Sequence, residues 1–176
     1  MNFNSFVRYF IFILFFVFLV SCSHEEPADT IKINLEPELV VSTFNFDFNH
    51  GVNISTNSVK QSDEPHFFYF FTPTWSHCIS ELQKITPKLS NIHNSSYYAV
   101  SIDPTMSVSD INSFKSKNNL DDISVLPYNK DMLLYFKIRQ RGSKRILNSN
   151  AEIIYSGKMT DYDINLWEKL LNEKNN

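Results

Sequence analysis

The sequence contains little cysteine and little glycine, with two Cys and three Gly among 176 residues. Its two cysteines, Cys22 and Cys78, stand far apart, so the chain has no Cys-x-x-Cys motif and no disulfide-rich framework. A formal net charge of −3 shows no basic surplus, and we expect no nucleic-acid partner. No cluster of metal-ligating residues stands out either, and we expect neither a cofactor nor a metal ion.

The N-terminus carries the longest apolar run. Residues 9–20, after Arg8, read YFIFILFFVFLV, which has the length of a signal peptide rather than of a membrane-spanning helix. The run ends in LVSC, a pattern that resembles the lipobox of bacterial lipoproteins, in which the cysteine receives a lipid. We therefore expect a signal peptide over residues 1–21 and lipidation of Cys22. An uncleaved N-terminal anchor is the alternative, and it also leaves the rest of the chain outside the cytoplasm.

A polar segment follows this signal. Residues 22–38, beginning with SHEEPADT after Cys22, predict a tether between the lipid and a folded domain. The remaining residues, 39–176, are enough for one domain held together by an apolar core, because a lipidated Cys22 leaves Cys78 as the only free thiol. We expect a protein of the bacterial cell envelope, bound to the membrane through its lipid, on the periplasmic side or the outer surface.

Within the domain, apolar periodicity predicts alternating strands and helices. The run HFFYFF at 66–71 is typical of a strand buried on both faces. The segment after it places Ile79, Leu82, Ile85 and Leu89 at helical spacing, with Pro87 predicting a kink or break. The other predicted elements are a hairpin over 39–55 around 49–51, a strand at 97–103, a helix starting at Ser107 or Ser109, a short strand ISVLP, a short helix KDMLLYFKI, a hairpin at 144–157 with its left-handed turn at 148–150, and a C-terminal helix DINLWEKLLNEK. This order predicts an α/β fold with a mixed sheet and helices on both sides.

The junction between the first buried strand and its helix carries a recognisable motif. The stretch FFYFFTPTWSHCISEL resembles the thioredoxin-like superfamily, and within it the TlpA-like and redoxin (AhpC/TSA-related) proteins of bacterial envelopes, whose usual run is W-C-x-x-C-x-x-E-L. Aligned without gaps on Cys78 and Glu81, the chain has Trp75 at the first Cys position, with Ser76 and His77 between. An alternative alignment matches Trp75 to the family's own Trp, so that Ser76 replaces the first Cys.

The resemblance extends over about residues 39–171. The stretch YFKIRQRGSKRILNSNAEIIYSG lies over the family pattern V-x-x-x-P-T-x-F-L-I-D-x-x-G-x-I, which places Gly142 at the cis-Pro and Ala151 at the Gly. The resemblance implies a thioredoxin-like fold, a central mixed β-sheet flanked by helices, here with an N-terminal β-hairpin as an extension.

The family's chemistry is thiol-disulfide exchange, in which the first Cys attacks and the second resolves. With Trp75 at the first position, turnover through an internal disulfide is excluded, and Cys78 remains as the candidate catalytic residue of a single-thiol reaction with a protein thiol or disulfide. The helix N-terminus would favour a thiolate there, whereas Glu81 would oppose it. His77 is a doubtful partner because adjacent helical residues do not face each other. An inert core thiol is the alternative.

Three other functions are open to the same residues. A peroxiredoxin-like peroxidase would use Cys78 with Arg141 supporting the thiolate. A copper site like that of Sco-type proteins would need Thr74 as a ligand, which makes a poor site. A non-catalytic binding module would use Trp75, with Thr74, Ser76 and His77 beside it, as an anchor for a peptide; alternatively, Trp75 folds back over Phe70 and Phe71.

Charged residues near the same loop extend these hypotheses. A basic run of Arg139, Arg141, Lys144 and Arg145 is typical of a solvated face, and opposite a Cys it would favour an anionic ligand. The scattered histidines are predicted to be solvated rather than to bind metal: His24, His50, His66 and His93.

Overall fold

The computed structural model describes residues 43–48, 52–92 and 95–173. The signal peptide, Cys22 and the tether predicted from the sequence lie outside these residues, as do His24, His50 and His93. Among the described residues, no helix combines the length and the apolar character needed to cross a bilayer.

The first described elements form the predicted hairpin. Strand β1 (Asn45–Phe48) pairs antiparallel with β2 (Val52–Ser55), while residues 39–42 and the turn lie outside the described residues. A short helix, α1 (Thr56–Ser62), follows directly and is absent from the sequence prediction. It starts there because the side chains of Ser55 and Ser58 form a capping box, each bonded to the other's backbone N–H.

The elements that follow in chain order are β3 (His66–Phe71), α2 (Ser76–Leu89), β4 (Ser96–Ser101), α3 (Val108–Asn118), β5 (Ser124–Leu126), α4 (Lys130–Tyr135), β6 (Ser143–Leu147), β7 (Ile153–Gly157) and α5 (Ile164–Asn172). Strands β3 to β7 form a five-stranded mixed sheet with the strand order β5-β4-β3-β6-β7. Strand β3 pairs parallel with β4 and antiparallel with β6, β5 is parallel to β4, and β7 is antiparallel to β6.

The central strand β3 separates two apolar cores, as its continuous aromatic run predicts. Successive side chains of a strand point to opposite faces. Phe67, Tyr69 and Phe71 accordingly pack with α2, α3 and α5, whereas Phe68 and Phe70 pack with α1, α4 and the segment around the hairpin. All six residues of β3 are buried. Their burial holds the carboxyl end of β3 in place, and α2 begins close behind it.

Two details of the chain turns differ from the predictions. Pro87 lies inside the last turn of α2 without breaking it, and the helix continues to Leu89. In the turn between β6 and β7 the left-handed residue is Ala151, with φ of 61°, rather than one of the asparagines. The predicted cap of α3 is confirmed at Ser107, whose side chain and that of Asp110 form a capping box.

The prediction that His66 is solvated is wrong. The side chain is 3% exposed, because His66 is the first residue of the buried strand β3. Its Nε2 lies 2.8 Å from the hydroxyl of Ser62, and its ring stacks on that of Tyr98 with centroids 5.9 Å apart. Burial lowers the pKa of His66 to about 4, so the ring is neutral at physiological pH.

We expect this histidine to make the protein acid-sensitive. The folded state holds its pKa near 4 while the unfolded chain titrates at about 6.5, so the unfolded chain binds the proton first. The stability from the neutral ring is present above pH 6.5 and is lost as the pH falls through 4, by up to roughly 3 kcal/mol. Urea denaturation at several pH values measures the slope. His66→Phe should flatten it, and an unchanged slope in that variant would contradict the assignment.

Candidate functional site

Cys78 lies in the first turn of α2 and is fully buried. It has 0% exposure and belongs to the core between the sheet and helices α2, α3 and α5. It is the one cysteine among the described residues. The structure therefore places the predicted thiol at the start of the helix, as its motif indicates, but beneath the surface rather than on it.

The surroundings of Cys78 favour the neutral thiol. Burial is the largest effect and raises the pKa of Cys78 above its ordinary value. The backbone of Thr72, the hydroxyl of Tyr69 and the charge of Arg141 act in the opposite direction, while the carboxylate of Glu81 raises the pKa further. The opposition expected from Glu81 is thus confirmed. The net effect on the pKa is the reverse of the activation that nucleophilic catalysis requires.

A buried polar cluster lies beside the thiol. Glu81 accepts a hydrogen bond from the hydroxyl of Tyr69 at 2.6 Å, and its other oxygen lies 2.7 Å from the ammonium group of Lys144. Lys144 is completely buried and also donates to the backbone carbonyls of Lys158 and Met159. Two charges in the interior are tolerated because they are paired and hydrogen-bonded. This cluster was not predicted from the sequence.

Above this core, Trp75 meets Arg141. The guanidinium carbon of Arg141 lies 3.7 Å from the centroid of the Trp75 indole, the geometry of a cation–π contact. Trp75 is the N-cap residue of α2, is partly buried and packs against the same core cluster as Cys78. The hypothesis that Trp75 folds back on the core agrees with this packing, although part of the indole stays exposed.

Gly142 follows Arg141 and fixes the path of this loop. It has φ of 74°, and an added Cβ would lie 2.5 Å from the Cβ of Met159. Its N–H donates to the carbonyl of Phe70 at 2.7 Å, which ties the loop to the end of β3. No cis peptide bond occurs in the described parts of the chain. Only glycine fits this position, since both the backbone angle and the lack of space exclude a side chain.

The predicted basic face is only partly present. Lys144 is buried, and the guanidinium of Arg145 donates to the carbonyls of Phe136, Lys144 and Gly157, so neither presents a free charge to solvent. Arg139 is exposed and Arg141 is partly exposed. The prediction of a solvated basic face is therefore wrong for Lys144 and Arg145. Their charged groups bond to other parts of the molecule because β6 lies between β3 and β7.

The other predicted loop residues, Ser76 and His77, are both exposed. The ring centroids of His77 and Trp75 are 5.4 Å apart. No group of three His, Cys, Asp or Glu residues that would hold a metal ion occurs in the described residues. The exposed part of the site is therefore formed by Trp75, Ser76, His77 and Arg141, with the thiol beneath it.

Similarity to known proteins lies in the structure rather than in the sequence. No protein-family model and no curated protein matches the chain. The thioredoxin domain of a thiol-disulfide oxidoreductase from Bacteroides vulgatus superimposes with a TM-score of 0.60 at 19% identity, covering 76% of this chain and 96% of that one. The chain has a thioredoxin-like fold. StoA from Bacillus subtilis superimposes with a TM-score of 0.59 at 15% identity, covering 75% of this chain and 98% of that one. The exposed lipoprotein thioredoxin of Streptococcus pneumoniae superimposes with a TM-score of 0.60 at 10% identity, covering 74% of this chain and 98% of that one.

Within this thioredoxin-like fold, Trp75 and Arg141 contact each other at the junction of β3 and α2. Arg141 directly precedes Gly142, whose N–H is bonded to the carbonyl of Phe70 in β3. The gapless alignment predicts the family's first Cys position at Trp75 and its cis-Pro position at Gly142, and the structure brings the segments that carry these two positions together.

Proposed function

We propose that this chain is a lipid-anchored envelope protein that uses a thioredoxin-like fold to bind protein segments and does not turn over disulfides. The lipid at Cys22 would hold the domain on the outer side of a membrane, and the lipoprotein thioredoxin of Streptococcus pneumoniae offers a structural parallel. The binding surface would be Trp75 with Ser76, His77 and Arg141.

The observation that carries this proposal is that Cys78 is fully buried, whereas Trp75, which packs against the same core, is partly exposed. Thiol-disulfide exchange requires a thiolate that reaches the partner's sulfur in line. Cys78 has 0% exposure and a raised pKa, and in the gapless alignment Trp75 takes the position of the attacking sulfur. Partly exposed tryptophan and arginine side chains, in contrast, are the residue types that dominate protein binding sites.

A single-thiol reaction at Cys78 is the second candidate. Arg141 and the hydroxyl of Tyr69 both act to lower the pKa of the thiol, against the larger effect of burial. This chemistry would require the loop around Trp75 and Arg141 to open and admit a protein disulfide or a peroxide. It is therefore distinguished from the first candidate by the accessibility of the sulfur in solution.

Alkylation of Cys78 tests the proposal. In the full chain, solubilised in mild detergent, we expect no reaction of Cys78 with iodoacetamide over a time in which the urea-unfolded protein reacts completely, because the native sulfur is buried. Cys78→Ser is the matched blank and also accounts for any unlipidated Cys22. Mass spectrometry of the tryptic peptide gives the extent of labelling.

The rate of alkylation against pH separates the two candidates. Native labelling that titrates below the ordinary thiol pKa of about 8.5 would contradict the binding proposal and favour the single-thiol reaction. Labelling that occurs only at the rate of global unfolding would support the proposal.

A further inference from the structure

Arg141 is a guanidinium group held in place without a hydrogen-bond partner for its N–H donors among the described residues. Its guanidinium carbon lies over the Trp75 ring, 3.7 Å from the ring centroid. Within the described residues the two ion pairs are Lys144–Glu81 and Lys169–Glu173, and Arg141 takes part in neither of them. Stacking on a ring uses the face of the guanidinium and leaves the donors at its edge available.

The neighbouring basic residues do not share this property. Lys144 is paired with Glu81, and the donors of Arg145 are directed at backbone carbonyls. Arg139 is exposed, but no ring contact holds it among the described residues. Arg141 is thus the basic side chain near the site that is both partly buried and free of polar partners in the described part of the chain.

The start of α2 adds to the positive potential at this point. Its N-cap residue, Trp75, provides no side-chain hydrogen bond, and its first turn contains no acidic residue. The first N–H groups of a helix carry a partial positive charge that such a cap or carboxylate would otherwise offset. Among the described residues, the carboxylate that acts on the thiol is that of Glu81, and it is already engaged by Lys144 and Tyr69.

We propose that Arg141, positioned by Trp75, recognises a carboxylate, so that the preferred partners of this surface are protein segments carrying Asp, Glu or a free C-terminus. A carboxylate matches the paired donors of a guanidinium and forms charge-assisted hydrogen bonds with them. The stack holds the guanidinium in place, which reduces the entropy lost on binding. This inference rests on the proposed function, since it specifies what the Trp75 surface binds.

The experiment uses the full chain in detergent and a phage-displayed library of random dodecapeptides. Selection on the wild-type protein is expected to enrich peptides with acidic residues. The best peptide and its twin, with Gln in place of each Glu and Asn in place of each Asp, are then synthesised with an amidated C-terminus for calorimetric titration. We expect the neutral twin to bind at least about tenfold more weakly, the loss of one charge-assisted hydrogen-bonded contact.

Variants of the protein show which residue causes the preference for acidic peptides. Arg141→Gln should remove the difference between the acidic peptide and its twin, while Arg141→Lys should keep part of it, since lysine retains the charge but loses the planar fork. Arg139→Gln is the matched control, with the same charge change two residues away, and should alter the affinity by less than about twofold. The thermal midpoint of each variant confirms that it is folded.

The possible failures are distinguishable. Peptides that bind through Trp75, losing affinity in Trp75→Ala, but show no acidic preference would overturn carboxylate recognition and leave the proposed function standing. A preference for acidic peptides that survives Arg141→Gln would also overturn the inference. If no peptide is enriched over protein-free detergent, both the inference and the proposed binding function are contradicted.

Discussion

Replacing Lys144 with methionine is expected to lower the free energy of unfolding by about 3–5 kcal/mol, the cost of leaving a buried charge without its partner. The ammonium group of Lys144 is 2.7 Å from a carboxylate oxygen of Glu81, and the exposed fractions of the two side chains are 0% and 11%. Methionine fills a similar volume but cannot compensate Glu81 or bond the carbonyls of Lys158 and Met159. Urea denaturation at neutral pH measures the change.

A double variant separates charge from packing. Glu81→Gln with Lys144→Met removes both charges, and we expect it to recover much of the lost stability, because a buried ion pair contributes little compared with a neutral pair of similar shape. Lys84→Met, at an exposed position of α2, is the control and should change the stability by less than about 0.5 kcal/mol. If the double variant is as unstable as Lys144→Met alone, the carbonyl contacts of Lys144 are the stabilising interaction, not the pair.

Gly142→Ala is expected to destabilise the domain by roughly 2–4 kcal/mol, from the left-handed backbone and from overpacking. The φ of 74° disfavours any side chain, and the new Cβ would lie 2.5 Å from that of Met159. Introducing proline at this position, as Gly142→Pro, should be at least as damaging. Proline fixes φ near −65° and lacks the N–H that bonds the carbonyl of Phe70.

A Met159→Gly background tests the cause. There the contact with the side chain of residue 159 is absent, so Gly142→Ala should cost less. The remaining cost reports the left-handed backbone together with the approach to the Cα of residue 159, which lies 3.2 Å from the added Cβ. An equal cost in both backgrounds would show that the close approach to Met159 is not what excludes alanine. Thermal or urea unfolding of the four proteins in this cycle gives the comparison.

Several features of the fold were predictable because they depend on local patterns. The continuous aromatic run at 66–71 indicated a strand buried on both faces, and β3 is buried throughout. A short polar side chain before a helical repeat predicted the cap of α3 at Ser107 or Ser109, and the structure has it at Ser107. Helix α1 was missed because its signal is a pair of serines without a long apolar face.

The position of the candidate site was predicted, but the burial of its charged and thiol groups was not. The motif predicted Cys78 at the start of a helix, and the structure places it in the first turn of α2. The basic run was misinterpreted because Lys144 and Ile146 share one face of β6, and Ile146 is a core residue. Applied to Lys144, this alternation would have indicated a buried lysine and prompted a search for a carboxylate on α2.

The sequence by itself determined the order of the elements from β3 onward, the aromatic buried strand and the absence of a second cysteine near Cys78, since each depends on residues that are neighbours along the chain. The tertiary structure decided that Cys78 is buried, that Lys144 pairs with Glu81 and that Arg141 stacks on Trp75. These contacts join β6 and the loop before it to α2, residues distant in sequence that meet because β6 pairs beside β3. The burial of Cys78 and the pairing of Lys144 with Glu81 depend on this placement of β6 beside β3, which no local sequence pattern specifies.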